Sequence, residues 1–201
     1  MIKKAEFLIS NTDYRKCPPA GKPEFAFIGR SNVGKSSLIN MLTQSRHLAK
    51  TSGTPGKTQL INHFIIDDRW YMVDLPGYGF AKVGKKLKAE WEEMIKNYLS
   101  HRENLLATFV LIDSRLDPQK NDLEFIRWCA ENGIPIVLAF TKADKLSRSK
   151  VQGNVSKFLQ ATLEIFEEAP LYFITSAEKQ TGREELLAFI LENNQEFYKK
   201  D

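Results

Sequence analysis

The sequence predicts an α/β fold in which a mostly parallel β-sheet carries helices on both faces. Short apolar runs alternate with longer helical patterns along nearly the whole chain, and several of these runs are apolar from end to end. Alternation of this kind is typical of βα units, and uninterrupted apolar strands are typical of a sheet covered on both faces. The chain has 201 residues, 42% of them hydrophobic and 27% charged, which suits one globular domain.

Strand and helix patterns can be assigned along the chain. The predicted strands are Glu24–Ile28, Leu60–Ile66, Trp70–Asp74, Thr108–Asp113, Ile136–Thr141 and Leu171–Thr175. The predicted helices span residues 35–44, 85–101, 119–132, 148–167 and 183–197. Because only residues 67–69 separate the second strand from the third, these two strands should form an antiparallel hairpin. We assign residues 1–23 to a lead-in segment and residues 24–201 to the domain.

Composition and charge exclude several classes of protein. Cys17 and Cys129 have neither disulfide-framework nor zinc-ligand spacing. No apolar run approaches the ~20 residues of a membrane span, and the first residues are a poor signal peptide, so we expect a soluble, cytoplasmic protein; a monomer is the default expectation. Residues 1–100 carry 16 Lys and Arg against 9 Asp and Glu, whereas residues 101–201 carry 13 against 16. The basic half favours a polyanionic partner.

A phosphate-binding motif follows the first predicted strand. Residues 29–36 read GRSNVGKS and match GxxxxGK[ST] between an apolar strand and a helical run. Such a loop surrounds a phosphate with backbone N–H groups; Lys35 would reach the β- and γ-phosphates, and Ser36 would ligate Mg²⁺. The alternative is an ordinary Gly- and Ser-rich turn. The candidate nucleotide contacts are Gly29, Arg30, Ser31, Asn32, Val33, Gly34, Lys35 and Ser36.

A second element points to guanine rather than adenine. Residues 141–144, TKAD, close the predicted strand Ile136–Thr141 and match the [NT]KxD pattern of guanine-nucleotide proteins. The Asp144 carboxylate can accept hydrogen bonds from guanine N1–H and N2–H₂, donors that adenine does not offer in this arrangement. The candidate base contacts are Thr141, Lys142, Ala143 and Asp144, with Thr175, Ser176 and Ala177 as a segment whose backbone could bind guanine O6.

Two further segments fit the γ-phosphate and Mg²⁺. Residues 74–77 form a DxxG element, in which Asp74 would hold Mg²⁺ through a water and the Gly77 N–H would contact the γ-phosphate. The TPGKT loop at residues 54–58 occupies the place of a first switch, and Thr58 is our candidate for a second direct Mg²⁺ ligand, with Thr54 and Thr51 as the alternatives. Each segment alone could be an ordinary turn, but their order along the chain favours function. The remaining DxxG contacts would be Leu75 and Pro76, and the candidate catalytic residues are Lys35, Thr58 and Gly77.

Together these motifs resemble one family of GTPases. GRSNVGKS, TPGKT, DLPGYGFAKV, TKAD and TSA occur in this order in the EngB (YihA/YsxC-type) GTPases of the TrmE-Era-like superfamily, which the chain resembles from residue 24 onward. The resemblance implies a three-layer Ras-like P-loop G domain, with about six strands, that binds GTP, GDP and Mg²⁺ in the bacterial cytoplasm. It also implies roles in assembly of the large (50S) ribosomal subunit and in cell division and septation. By position, the first-switch contacts would be Gly56, Lys57, Thr58, Gln59 and Leu60.

Two positions bear on the rate of hydrolysis. Ras carries a water-positioning glutamine after DxxG, whereas this chain has Tyr78, so intrinsic hydrolysis should be slow. Tyr78, Gly79 and Phe80 would instead form a mobile, partly apolar surface that a partner orders. Asn32 is similar to the asparagine with which potassium-dependent members of the superfamily ligate K⁺, so K⁺ stimulation is a hypothesis.

A lysine-rich segment follows the DxxG element. It is either a solvated helix start or a patch that contacts ribosomal RNA phosphates in a nucleotide-dependent way. The overall prediction is a GTP-dependent switch; an RNA or protein adaptor with a structural nucleotide is the alternative, and Asp144 argues against an ATP-dependent kinase or ATPase. The lysines of this patch are Lys82, Lys85, Lys86 and Lys88.

Overall fold

The computed structural model describes residues 2–49, 60–79 and 84–199. Its strands are β1 (Ala5–Asn11), β2 (Glu24–Gly29), β3 (Ile61–Ile66), β4 (Trp70–Asp74), β5 (Leu105–Asp113), β6 (Ile136–Thr141) and β7 (Tyr172–Ile174). Its helices are α1 (Lys35–Thr43), α2 (Lys85–His101), α3 (Lys120–Glu131), α4 (Arg148–Thr162) and α5 (Arg183–Lys199). Single 3₁₀ turns lie at Tyr14–Lys16 and Ala143–Lys145.

The described strands form one mixed sheet in the order β1-β3-β4-β2-β5-β6-β7. β2 runs parallel to both of its neighbours, β4 and β5. β6 likewise runs parallel to its neighbours, β5 and β7. β3 is antiparallel to both of its neighbours, β1 and β4. The predicted fold class and the predicted hairpin are therefore confirmed, with seven strands where about six were expected.

The additional strand, β1, lies within the lead-in segment. It is an edge strand that pairs with β3 alone. Its side chains Phe7, Leu8 and Ile9 are exposed by 57%, 46% and 38%, so no apolar alternation marks a buried face. The pairing register also shifts between Phe7 and Ile9, and a bulge of this kind interrupts the period of two by which strands are recognised.

Each face of the sheet carries its own hydrophobic core, because successive side chains of a strand point to opposite faces. On β2, Phe25 and Phe27 belong to the cluster that includes side chains of α1 and α5. Ala26 and Ile28 belong to the cluster that includes side chains of α2, α3 and α4. These four β2 side chains are fully buried, which gives the three layers expected of the fold.

One predicted helix boundary was wrong. α4 ends at Thr162, not at residue 167, because the hydrogen-bond pattern tightens there: the Leu163 and Glu164 N–H groups donate to carbonyls three residues back, those of Gln160 and Ala161, at 3.2 and 3.4 Å. The helical pattern continued in the sequence because Ile165 and Phe166 still pack against the core.

Within residues 2–49, 60–79 and 84–199, no helix has the length and apolar content to cross a bilayer.

A cluster of charged and polar side chains is buried where β2 begins. The Glu24 carboxylate accepts hydrogen bonds from Arg102, with Nη2···Oε2 at 2.7 Å, and from the Tyr98 hydroxyl and Asn104 amide. His63 Nε2 of β3 lies 3.4 Å from the same carboxylate. Burial raises the pKa of Glu24, but the neighbouring His63 and Arg102 outweigh burial and hold that pKa at about 2. The cluster joins β2, β3 and the end of α2.

Candidate functional site

The predicted nucleotide-binding residues meet at the carboxyl edge of the parallel strands. β2, β4, β5 and β6 end at Gly29, Asp74, Asp113 and Thr141, and the strand register sets Asp113 beside Thr141. Ligands of α/β sheets bind outside this edge, at the points where chain connections leave to opposite faces. The fold therefore brings the phosphate loop, the DxxG element and the TKAD element together.

The phosphate loop has the backbone conformation of an anion-binding turn. Asn32 and Gly34 have positive φ angles, of 61° and 104°, and Gly34 begins α1 without a side-chain cap. The N-cap residue of α1 thus has no side chain that could occupy the first N–H groups of the helix, and the helix dipole favours an anion there. A Cβ on Gly29 would lie 2.9 Å from a backbone oxygen of β5, so this strand end requires glycine.

The lysine of the phosphate loop contacts the DxxG aspartate. Lys35 Nζ donates to Asp74 Oδ1, and the two side chains are only 17% and 13% exposed. Burial lowers the pKa of Lys35, and the neighbouring Asp74 carboxylate opposes this shift because it favours the charged amine. Lys35 is thus held at the phosphate loop by a carboxylate that phosphate oxygens can replace.

The TKAD element is bonded directly to the phosphate loop. The Thr141 hydroxyl donates to the carbonyl of Val33 at 2.6 Å, and Lys142 Nζ donates to the carbonyl of Asn32 at 2.6 Å. Lys142 itself has a left-handed conformation, with φ at 60°. The base-reading and phosphate-reading elements are therefore one connected structure, although 108 residues separate Val33 from Thr141.

Asp144 is fixed on both carboxylate oxygens. The Ser176 hydroxyl donates to Oδ1 at 2.6 Å, and Lys145 Nζ lies 3.0 Å from Oδ2. The hydrogen bond from Ser176 and the charge of Lys145 hold the pKa of Asp144 at about 2. The carboxylate is therefore ionised at neutral pH, as an acceptor for two guanine N–H groups must be.

A cleft of about 200 Å³ lies beside Asp144 and has the features of a base pocket. Within the described residues, the Thr175 and Ser176 N–H groups donate to the carbonyls of Phe140 and Thr181. This leaves the Ala177 amide as the candidate donor to guanine O6. The predicted site residues that line the cleft are Gly34, Thr141, Lys142, Asp144, Thr175 and Ala177, and Ala143 supports it through a 3.1 Å bond from its N–H to the Thr175 carbonyl.

Asp113 is a site residue that the sequence analysis missed. Its carboxylate accepts from Lys142 Nζ at 2.9 Å and from the Arg115 guanidinium at 2.8 and 2.9 Å. Burial raises the pKa of Asp113, but these bonds outweigh burial and hold that pKa at about 2. Asp113 thereby anchors the lysine that we expect to lie along the base. The available signal was its place at the end of an apolar strand, the position that also holds Asp74.

The DxxG element lies against the phosphate loop. Leu75 is 1% exposed, and Pro76 and Gly77 are also buried. Tyr78 is buried as well, at 8% exposed, so the expectation that it belongs to an exposed surface was wrong. Its ring stacks on Phe125 of α3 with centroids 4.7 Å apart, which explains the burial. Phe80 lies outside the described residues.

Several predicted residues lie elsewhere or outside the described residues. Ser31 is exposed on the loop, and Arg30 turns its side chain toward α3. Leu60 is half-buried just before β3. Lys86 and Lys88 are exposed on the first turn of α2, and the backbone of Lys85 begins that helix. The predictions that fall outside the described residues concern Thr51, Thr54, Gly56, Lys57, Thr58, Gln59 and Lys82.

The described residues fit a Mg²⁺ ion that is completed by nucleotide phosphates. Ser36 supplies a hydroxyl on the first turn of α1, and Asp74 supplies a carboxylate in contact with the adjacent Lys35. Mg²⁺ prefers such oxygen donors and commonly combines one or two protein ligands with phosphate oxygens and water. Correspondingly, the described part of the chain contains no group of three His, Cys, Asp or Glu residues that could hold a metal by itself.

Fold and site together define a P-loop GTPase, and comparisons with known proteins identify its family. Residues 24–142 match the family model of 50S ribosome-binding GTPases. A probable GTP-binding protein EngB of Porphyromonas gingivalis is 60% identical over 199 residues and 99% of both chains; the protein of that name from Bacteroides thetaiotaomicron is 56% identical over 198 residues and 98% of both. A crystal structure of a probable GTP-binding protein EngB has a TM-score of 0.69 at 26% identity, over 86% of this chain and 99% of that one. The chain belongs to the EngB family of GTP-binding proteins.

Proposed function

We propose that this protein is a GTP-dependent switch in the assembly of the large (50S) ribosomal subunit, required for cell division and septation in the bacterial cytoplasm. The observation that carries the proposal is the match of residues 24–142 to 50S ribosome-binding GTPases, together with the lysines exposed at the start of α2. The GTP-bound form would dock on the maturing subunit, and hydrolysis would release it.

The chemistry proposed for the site is attack of water on the γ-phosphate. Lys35 and the N–H groups at the start of α1 would stabilise the charge that develops on the transferred phosphoryl group. The Gly77 amide would contact the γ-phosphate. Ser36, Thr58 and Asp74 would hold Mg²⁺, which would supply positive charge to offset the negative charge that develops on the phosphates.

Tyr78 supports a slow intrinsic reaction that a partner accelerates. Its side chain is packed on α3 and carries no amide that could orient water. The Asn32 side chain, exposed on the loop, is the candidate ligand for a stimulating K⁺ ion. We expect faster GTP hydrolysis in KCl than in NaCl at equal ionic strength, and Asn32→Ala should abolish the difference. Equal rates in both salts would contradict the K⁺ proposal alone.

Co-sedimentation with purified ribosomal subunits tests the proposed switch. We expect binding to the large subunit with a non-hydrolysable GTP analogue, weak binding with GDP, and no binding to the small subunit. Binding that is equal with both nucleotides would contradict the switch, and no binding in either state would contradict the ribosomal role.

The lysine patch can be tested in the same assay. Lys86→Glu and Lys88→Glu should weaken binding of the analogue form and flatten its salt dependence, because fewer phosphate contacts release fewer counterions. Lys150→Glu, an equal charge reversal at an exposed residue of α4, is the matched control. If all three variants bind like the parent protein, the patch makes no contribution.

An adaptor with a structural nucleotide is the second candidate function, which Tyr78 permits because it carries no amide that could orient water for hydrolysis. Single-turnover hydrolysis with and without large subunits separates the two candidates. Acceleration by the subunit supports the switch, whereas an unchanged slow rate supports the adaptor.

A further inference from the structure

A buried carboxylate connects three elements behind the phosphate loop. Asp122 lies in the first turn of α3, and its side chain is 1% exposed. Arg30 Nε lies 3.2 Å from each of its two oxygens, and the Tyr78 hydroxyl donates to Oδ1 at 2.9 Å. Arg30 belongs to the phosphate loop and Tyr78 follows the DxxG element, so Asp122 joins both to a rigid helix.

The backbone beside this cluster holds the DxxG glycine directly on the phosphate loop. The Tyr78 N–H donates to the Gly29 carbonyl at 3.3 Å, and Tyr78 forms a parallel bridge with Arg30. A Cβ on Gly77 would lie 2.7 Å from the Gly29 oxygen, so the two backbones are in close contact. The position of Gly77 therefore depends on the residue that follows it, and the Asp122 side chain holds that residue.

The polar contacts of Asp122 with Tyr78 and Arg30 are not explained by core packing alone. A phenylalanine at position 78 would preserve the stacking on Phe125, so the core does not require the Tyr78 hydroxyl. Burying a carboxylate is costly unless it is paired and hydrogen-bonded, and burial raises the pKa of Asp122 against the effect of Arg30. The partners that offset this cost are Arg30 and Tyr78, which both belong to nucleotide-binding elements.

We propose that Asp122 is a positioning residue of the GTPase: it clamps Tyr78 and Arg30 together and so holds the Gly77 amide where the γ-phosphate of GTP binds. GDP lacks the γ-phosphate and does not require this amide. The clamp therefore contributes to the affinity for GTP and not to that for GDP. The inference concerns the nucleotide site itself and does not depend on the proposed ribosomal role.

The test compares two conservative variants of the full chain, Tyr78→Phe and Asp122→Asn. Affinities for a non-hydrolysable GTP analogue and for GDP are measured by calorimetric titration with Mg²⁺. We expect each variant to lose about tenfold in affinity for the analogue, equivalent to about 1.4 kcal/mol and comparable with one hydrogen bond to a charged group. The affinity of each variant for GDP should stay within about twofold of that of the parent protein. The kcat/KM for GTP should fall because KM rises.

Tyr98→Phe is the matched control. It also removes a hydroxyl that donates to a buried carboxylate, that of Glu24, but at the opposite end of β2 from the phosphate loop. It should lower stability and leave the ratio of GTP-analogue to GDP affinity unchanged. An equal loss for both nucleotides in Tyr78→Phe, no loss for either, or the same change of ratio in Tyr98→Phe would overturn the proposal.

A double variant tests whether the two side chains act as one unit. Because Tyr78→Phe and Asp122→Asn disrupt the same contact, the double variant should lose little more analogue affinity than Asp122→Asn alone. Fully additive losses would contradict the clamp. If Asp122→Asn fails to fold, Tyr78→Phe decides the question, because it retains the buried ring.

Discussion

Replacing Arg102 by methionine should cost about 3 kcal/mol of unfolding free energy at pH 7. Methionine keeps much of the volume of Arg102 but leaves the fully buried Glu24 carboxylate without its guanidinium partner. Removing one partner of a buried ion pair costs about 3–5 kcal/mol in other proteins. The pKa of Glu24 agrees in direction, because Arg102 is one of the two groups, with His63, that hold this pKa below its ordinary value against the effect of burial.

The same cluster predicts a pH dependence with a definite sign. The pKa of Glu24 is lower in the folded state than in the unfolded state, so its contribution is fully present above pH 4.5. That contribution is lost as the pH falls through about 2, because the unfolded chain then binds more protons than the folded one. Glu24→Gln should therefore show a flatter dependence of stability on pH between 4.5 and 2 than the parent protein.

Urea denaturation of the nucleotide-free protein, followed by circular dichroism, measures both effects. Nucleotide is omitted because binding to the folded state would add its own stabilisation. Arg15→Met is the control: its guanidinium also pairs with a carboxylate, that of Asp13, but is 74% exposed, so the loss should be much smaller than for Arg102→Met. A loss for Arg102→Met no larger than that for Arg15→Met would refute the reasoning.

Four further predictions concern two residues of the nucleotide site and two glycines. Asp144→Asn should weaken GDP binding at least tenfold, because a charged acceptor of guanine is lost; titration should show no such loss for Asp117→Asn, an exposed aspartate. Thr141→Val should lower both unfolding free energy and nucleotide affinity by about 1–3 kcal/mol, because a phosphate-loop carbonyl loses its 2.6 Å bond; unchanged binding would contradict the proposed coupling. Gly182→Ala should destabilise severely in thermal melts, since its Cβ would lie 2.3 Å from a β7 carbonyl at φ +75°. Gly153→Ala, which has open space within α4, should stabilise by about 0.5–1 kcal/mol.

The parts of the site that sequence predicted are those that local chain order determines. The strand, loop and helix around Lys35 are consecutive in sequence, so their spacing already fixes how a phosphate would be surrounded. The hairpin of β3 and β4 followed from a connection too short for any alternative. Asp144 was found because its motif directly ends a strand.

The parts that sequence missed depend on contacts between distant residues. Arg30 and Asp122 are 92 residues apart, and Tyr78 is 44 residues from Asp122. Nothing near Asp122 in the chain distinguishes it from a solvated aspartate at the start of a helix. Glu24 and Arg102, 78 residues apart, pose the same problem. Sequence spacing identifies ligand-binding loops, whereas the side chains that hold those loops in place become visible only in the fold.

Three pairings of opposite charge at the site differ in how a bound nucleotide would affect them. Lys35, Lys142 and Arg30 pair with Asp74, Asp113 and Asp122. Asp113 ends β5 and Asp122 lies on α3, so the pairs that they form can persist when a nucleotide binds. Only the Lys35–Asp74 pair has both members in predicted phosphate and Mg²⁺ elements, and phosphate oxygens would compete with Asp74 for Lys35. We therefore expect nucleotide binding to release the Asp74 carboxylate toward Mg²⁺ and so to couple the phosphate loop to the DxxG element.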